Sequence, residues 1–299
     1  MNKIKIWLKA FRLHTLPLAL ANAVMGSLLA LAYGGFRLSV FVLTIITIGA
    51  LQILSNLAND YGDAVSGNDM AKRLGPKRVT ATGMVTKKSI KQMIYAFAVL
   101  SFIAGSILIF VGLDNMPWSK IAVFYLLGLS AIAAAIKYTV GKKPYGYQGL
   151  GDIFVFLFFG LIGVVGTFYM HTQYFCPVVI LPAVSIGLMS VGVLNINNLR
   201  DIESDRKTGK NTLVVQYGER FSRIYHIFLI AIAFATSIIF VLLQQPSWKH
   251  WLFLLMAPLF FRNCYNVFRH HSSLKLNAEL KNLVIDTFVF ALLFGIGMI

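Results

Sequence analysis

Long apolar segments recur along the whole chain, and they limit its fold more strongly than any other feature of the sequence. A helix needs about 20 apolar residues to cross the hydrocarbon core of a bilayer. Nine segments of roughly that length are predicted to cross it: 16–35, 38–58, 92–113, 119–140, 152–170, 175–197, 222–243, 246–264 and 282–299. No alternating pattern typical of strands competes with them. The predicted class is therefore all-α, a polytopic membrane bundle of nine transmembrane helices in one domain, 1–299.

The composition supports a membrane-embedded chain and argues against a soluble one. Apolar residues make up 58% of the chain and charged residues only 13%, whereas a soluble domain usually carries about 25% charge. The polar side chains are too few to cover a water-soluble globule of this size. Cys176 and Cys264 stand far apart in no metal or redox spacing, so we interpret both as small apolar fillers.

The distribution of basic residues predicts how the chain is oriented in a cell (inner) membrane. If the N-terminus and the loops after the second, fourth, sixth and eighth segments share one side, that side holds all of the 27 Lys and Arg residues except Arg37, Lys120 and Lys249. Short loops rich in Lys and Arg stay cytoplasmic. The N-terminus is therefore predicted inside and the C-terminus outside. Contact with anionic lipid headgroups accounts for the net charge of +16, and no nucleic-acid partner is needed.

The acidic residues are few and clustered. The chain has only 11 of them, and six lie in two short segments at the predicted cytoplasmic ends of the second and sixth helices: Asp60, Asp63, Asp69, Asp201, Glu203 and Asp205. Carboxylates near a bilayer are unfavourable unless they are paired, solvated or bound to a cation. Ordinary solvated acids at helix ends are the simplest alternative, but two matched clusters in so acid-poor a chain favour a metal–phosphate site.

The two clusters share a spacing of four residues. Asn59 precedes Asp63 by four, Asn197 precedes Asp201 by four, and Asp201 precedes Asp205 by four. On a helix such side chains lie on one face. Amide and carboxylate oxygens suit Mg2+, which keeps waters and takes substrate phosphates as further ligands. Two such clusters facing each other across a cavity would hold a diphosphate between two ions.

Three of the clustered acids do not follow this spacing. Asp60 and Glu203 fall off the shared face, so we expect them to be solvated or to support the ligands from outside. Asp69 follows Asp63 by six residues, and it can join the site only if the turn-forming stretch 66–68 redirects the chain. On that condition the predicted metal ligands are the following: Asn59, Asp63, Asp69, Asp201 and Asp205.

Basic residues follow each acid cluster, and bases, tyrosines and glycines are mixed in the loop after the fourth segment. A diphosphate needs cations besides the metal. Arg73, Lys142, Lys143 and Lys210 are the preferred candidates, because they lie near acids or in glycine-rich loops. The alternative for any one of them is a membrane-orienting anchor.

The acid motifs resemble those of the UbiA superfamily of membrane prenyltransferases, whose usual first motif is Asn-xxx-Asp-xxx-Asp and whose second is Asp-xxx-Asp. Asn59 and Asp63 fit the first motif, although Gly67 stands where its last Asp is expected. Asp201 and Asp205 fit the second. The resemblance covers essentially the whole chain.

Within the superfamily, the sequence is most similar to the branch of 1,4-dihydroxy-2-naphthoate polyprenyltransferases and related naphthoquinone enzymes. The displaced Asp69 resembles the longer motif spacing of that branch, and the stretches 56–63, 73–78 and 145–152 look like it too. The resemblance implies transfer of a polyprenyl group from a polyprenyl diphosphate to 1,4-dihydroxy-2-naphthoate, with Mg2+ as cofactor and loss of CO2. The implied product is demethylmenaquinone, on the route to menaquinone.

The motifs and the resemblance together predict the residues of the site. Catalytic roles are predicted for Asp63, Asp201, Asp205 and Lys142. Substrate-binding roles are predicted for Asn56, Arg73, Arg78, Tyr138, Lys143, Asn197 and Lys210. Two alternatives stay open: a related enzyme with 4-hydroxybenzoate or heme as acceptor, and a transporter of anionic substrates, although transporter sites tend to lie near the membrane midplane.

Overall fold

The apolar segments fold as helices, and the computed structural model describes them over residues 3–66, 79–80, 82–245, 247–270 and 272–299. The α-helices are α1 Lys3–Phe11, α2 Leu16–Ala32, α3 Leu38–Ser66, α4 Lys87–Gly112, α5 Trp118–Lys137, α6 Gly151–Val155, α7 Gly166–Thr172, α8 Ile180–Arg200, α9 Ile202–Lys207, α10 Leu213–Leu243, α11 Ala257–Arg269 and α12 Ser273–Gly297. The π-helical segment Phe156–Val165 joins α6 to α7. The part of the chain described here contains no strand, as the all-α prediction requires.

Eight helical segments in these ranges are long and apolar enough to cross a membrane. They coincide with eight of the nine predicted spans. The predicted span 246–264 is instead a 3-10 segment, Trp248–Met256, followed by α11. Pro258 explains this change, because proline has no N–H to donate within a helix but is tolerated in the first turn, where α11 places it.

Several helices extend beyond the apolar segments that predicted them. α3 continues to Ser66 and not to 58. α10 reaches back to Leu213 and not only to 222, although its backbone is kinked at Gly218, whose φ of 85° and ψ of 173° are not helical. Hydropathy marks the part of a helix that lies in lipid, whereas the helix itself ends where its backbone hydrogen bonds end. The first acid motif therefore lies on the last turns of α3, which makes its four-residue spacing a true helical face.

The helices pack as two groups with α2 between them. α3 packs on α4 and α5, while α8 packs on α10, α12 and the π-helical segment. α2 contacts α12, α3 and α7. The largest buried apolar cluster joins α2 to the second group and includes the aromatic side chains Phe240, Phe253, Phe290 and Phe294.

Two glycines allow the close packing that positions the acid motifs. A Cβ on Gly62 of α3 would lie 2.5 Å from the carbonyl oxygen of Thr139, at the end of α5. A Cβ on Gly160 of the π-helical segment would lie 2.7 Å from the Cα of Gly187 on α8. Any side chain at either position would push these elements apart.

Candidate functional site

A cavity of about 980 Å³ lies between the two helix groups. One end is polar and is lined by Asn56, Asn59, Asp60, Asp63, Tyr138, Asn197, Arg200 and Lys210. The rest is mostly apolar, with Leu108, Phe124, Ile162 and Met170 among its lining residues. A cavity of this kind suits an amphiphile that has an anionic head and a long hydrocarbon tail.

Two acids of the first motif, Asp60 and Asp63, are buried at the polar end. Asp63 accepts a hydrogen bond of 2.5 Å from the hydroxyl of Tyr147, and Asn59 Oδ1 accepts one of 3.1 Å from the hydroxyl of Thr139. Asp60 forms an ion pair with Arg12. Asp60 is 1% exposed, so the expectation that it is solvated is wrong, while its supporting role stays a prediction.

The second acid motif lies where α8 ends. Arg200 donates to both carboxylate oxygens of Asp201, at 2.9 and 2.8 Å. Asp201 itself separates α8 from α9, yet the Asp205 N–H donates to the Asp201 carbonyl at 2.9 Å, so the four-residue spacing persists across the break. Lys210 Nζ contacts Asp205 at 3.2 Å. Glu203 is exposed, as predicted.

Tyr147 and Lys210 connect the two motifs. Lys210 Nζ lies 5.9 Å from the centre of the Tyr147 ring, within the range of a cation–π contact. The Tyr147 hydroxyl binds Asp63, and Lys210 binds Asp205. The structure thus brings the two motifs together beside the polar end of the cavity. Asp63 is part of the cavity wall, whereas Asp201 and Asp205 contact the wall residues Arg200 and Lys210 but do not line the cavity themselves.

Residues 138–154 form an aromatic wall beside the motifs. The ring of Tyr145 stacks on that of Phe154 with centroids 4.0 Å apart, and it meets the ring of Tyr138 edge-on at 5.4 Å. Burial raises the pKa of Tyr138, so its hydroxyl stays protonated and neutral. All three side chains line the cavity.

The remaining predicted site residues fall into three groups. Asn197 and Asn56 line the cavity, but each also has a structural contact: Asn197 accepts from Arg200 at 2.8 Å, and Asn56 donates to the Phe11 carbonyl at 3.0 Å. Lys142 and Lys143 are exposed and are not part of the cavity wall. Asp69, Arg73 and Arg78 lie outside the described residues.

Sequence reasoning assigned no site role to Arg12, Thr139, Tyr147 or Arg200. Arg200 directly precedes Asp201, so its adjacency was a usable signal. Tyr147 stood in the glycine-rich loop already singled out, but nothing in the sequence distinguished it from its neighbours Tyr138 and Tyr145. Arg12 belongs to the basic N-terminus that predicts orientation, and its pairing with Asp60 depends on the packing of α1 against α3.

The donor atoms of both motifs fit Mg2+. The oxygen atoms of Asn59, Asp63, Asp201 and Asp205 are hard ligands of the kind that Mg2+ prefers. In the part of the chain that the structure describes, no three acidic, His or Cys side chains form a complete metal-binding group. Mg2+ also takes waters and phosphate oxygens as ligands, and the phosphates of a substrate supply such atoms.

Comparison with known proteins gives a consistent result. The profile described as the UbiA prenyltransferase family matches residues 19–285. Proteins named 1,4-dihydroxy-2-naphthoate octaprenyltransferase are 42% identical in Haemophilus influenzae and 43% identical in Escherichia coli K12; each match covers 100% of this chain, and 97% and 96% of the respective relative. A UbiA homologue from Archaeoglobus fulgidus, solved with GPP and Mg2+ bound, has the same fold with a TM-score of 0.60 and 16% identity, over 96% of this chain and 99% of that one.

Proposed function

Because this chain belongs to the UbiA prenyltransferase family, we propose that it transfers a polyprenyl group from a polyprenyl diphosphate to 1,4-dihydroxy-2-naphthoate. The observation that carries this proposal is the identity of 42–43% along the full chain with relatives named for that acceptor. The cavity supports it independently, since a polar end lined by Asp63, and by Arg200 and Lys210 that hold the second motif, continues into an apolar body. Diphosphate and CO2 are the by-products, and the product belongs to menaquinone biosynthesis.

The donor is proposed to bind with its diphosphate between the two acid motifs and its prenyl tail in the apolar part of the cavity. Asn59, Asp63, Asp201 and Asp205 would hold Mg2+, with Asp69 as a further predicted ligand. When bound, Mg2+ supplies the Lewis acidity that stabilises a leaving diphosphate. Support comes from the chemistry of the donor atoms and from the A. fulgidus homologue, which binds Mg2+ with GPP.

The cations of the chain then have defined tasks. Lys210 and Arg200 lie against Asp205 and Asp201, so they keep the second motif from repelling a diphosphate when few metal ions are bound. Arg73, Arg78, Lys142 and Lys143 remain predicted diphosphate or substrate contacts. Preorganised positive charge of this kind is usually the largest contribution to catalysis of such charge-separating steps.

The transfer replaces a carboxyl group on the acceptor ring by the prenyl group. The C–O bond of the donor breaks and its electron pair leaves with the diphosphate. The acceptor carbon that carries the carboxylate forms the new C–C bond, and the electrons of the lost C–CO2 bond return to the ring. The product is a quinol, which two-electron oxidation converts to demethylmenaquinone. The aromatic wall of Tyr138, Tyr145 and Phe154 can stabilise the allylic cation by cation–π contact.

The same assignment makes the chain a multi-pass protein, and we propose the cell (inner) membrane as its location. Its basic cytoplasmic face and its lateral surface would contact lipid. The N-terminus is proposed inside and the C-terminus outside, which requires the segment 248–269 to complete a ninth crossing.

A reconstituted transfer assay tests the proposal. Purified protein receives a polyprenyl diphosphate, Mg2+ and either 1,4-dihydroxy-2-naphthoate or 4-hydroxybenzoate. We expect a prenylated naphthalene product, its loss when EDTA removes the metal, and its return when excess Mg2+ is added. Transfer to 4-hydroxybenzoate alone would contradict the proposed acceptor. No transfer to any acceptor by folded protein would contradict the proposed activity.

A further inference from the structure

We infer that Lys281 of α12 binds the carboxylate of the acceptor and thereby selects carboxylated rings. This inference rests on the proposed function. It assigns a residue to the binding of the acceptor, which neither the acid motifs nor the basic loops explain. Lys281 lies 76 residues beyond the second acid motif and directly precedes the predicted span 282–299, where a lysine normally indicates only orientation in the membrane.

One face of α12 lines the cavity and carries Lys281. Asn277, Leu280, Lys281 and Val284 all belong to the cavity wall, and their spacing of three and four residues places them on a single helical face. Asn277 accepts a hydrogen bond of 2.8 Å from Arg200, which holds Asp201. Lys281 follows Asn277 by one helical turn, or about 5.4 Å of rise, so it lies one turn along α12 from the residue that contacts Arg200.

The other cations of the cavity wall already have partners. Arg200, Lys210 and Arg12 are each ion-paired with an aspartate of the two motifs, and Lys9 also has a partner. Lys281 lines the same cavity and is exposed. Among the described residues, the structure gives Lys281 no ion pair or hydrogen bond. A cation in this position attracts an anion that the metal ions do not neutralise. The donor's only anionic group is the diphosphate, whereas the acceptor carries a carboxylate.

The wall of the cavity also offers a site for the ring of the acceptor. His14, from the turn between α1 and α2, lines the same cavity as Lys281. A flat acceptor bound between α2 and α12 would present its carboxylate to Lys281 and its reacting carbon toward the donor. A charge-assisted hydrogen bond of this kind changes affinity by about tenfold or more.

A chemical double-mutant cycle tests the inference. The dissociation constants of 1,4-dihydroxy-2-naphthoate and of 1,4-dihydroxynaphthalene, which lacks the carboxylate, are measured for the wild type, Lys281→Met and Lys281→Arg. We expect Lys281→Met to weaken binding of the carboxylated ring about tenfold and to leave the other ring unchanged. Lys281→Arg should retain most of the preference. In turnover, Lys281→Met should raise KM for the acceptor and not for the polyprenyl diphosphate.

A matched control separates carboxylate binding from attraction to lipid. Lys275 is exposed on the same helix and outside the cavity wall, so Lys275→Met removes the same charge near the same membrane surface. Equal weakening by both variants, equal weakening for both rings, or a raised KM for the donor would overturn the inference. If the wild type binds the carboxylated ring but transfers no prenyl group, the proposed function fails while the binding result still decides the role of Lys281.

Discussion

At the scale of single residues, the carboxylates of the second motif are already paired with cations, Asp201 with Arg200 and Asp205 with Lys210. Asp201 is 2% exposed and Arg200 is 7% exposed, and two hydrogen bonds join them. Removing one partner of a buried pair leaves the other charge uncompensated, which destabilises a protein by about 3–5 kcal/mol. Asp201 therefore serves two purposes, since it is a proposed metal ligand and it also neutralises Arg200.

The variant Asp201→Asn tests both roles. We expect the transfer rate to fall at least about 100-fold, the scale typical for loss of one preorganised charge-stabilising group, and the melting temperature to fall because Arg200 loses its counter-charge. Glu203→Gln is the matched control, since Glu203 lies two residues on and is exposed. It should leave both the rate and the melting temperature near their wild-type values. Comparable loss of rate in the two variants would contradict the assignment.

At the scale of elements, the helical class and eight of the spans could be predicted, because length and hydropathy determine them. The π-helical segment Phe156–Val165 could not, since its i→i+5 hydrogen bonds leave no distinct pattern in an apolar run. Hydropathy also does not predict that α3 extends to Ser66, because the last turns of this helix consist largely of polar residues.

The same limit explains which part of the site was predictable. The four-residue spacing of Asn59, Asp63, Asp201 and Asp205 reflects a local helical property that sequence shows directly. The contact of Tyr147 with Asp63 depends on how distant elements pack. The glycine-rich loop predicts Lys142 and Lys143 as diphosphate contacts, but the side chains of both lysines are exposed.

The approach of α3 to the end of α5 gives a prediction at the element scale. Gly62→Ala would place a Cβ 2.5 Å from the Thr139 carbonyl oxygen, so α3 must shift and the bond from Thr139 to Asn59 must lengthen. We expect the transfer rate to fall about tenfold or more. We also expect the Mg2+ concentration that gives the half-maximal rate to rise, because disturbing groups that orient metal ligands weakens metal binding. Initial rates over a Mg2+ titration measure both.

Gly49→Ala on the same helix is the control for this change. A Cβ at Gly49 meets nothing within 4 Å, and alanine has a higher helix propensity than glycine by about 1 kcal/mol. Its activity should match the wild type and its melting temperature should be equal or higher. If Gly62→Ala behaves in the same way, the close approach has no bearing on the site.

At the scale of the whole molecule, orientation depends on the segment 248–269. Eight crossings would return the C-terminus to the side of the N-terminus, whereas nine place it opposite. We expect a cysteine introduced at Ile299 to react with an impermeant maleimide on intact spheroplasts, in a chain whose Cys176 and Cys264 are replaced by serine. A cysteine at Glu203 should react only after permeabilisation. Protection of position 299 in intact spheroplasts would contradict the nine-crossing topology.

The central claim is that the two acid motifs and the cavity carry out a decarboxylating prenyl transfer. The most direct measurement uses acceptor labelled with ¹⁴C in its carboxyl group and follows CO2, diphosphate and prenylated product in one reaction. The account predicts that all three appear in equal amounts, only with Mg2+, and that Asp63→Asn suppresses them together. Prenylated product that retains the label, or diphosphate release without product, would contradict it.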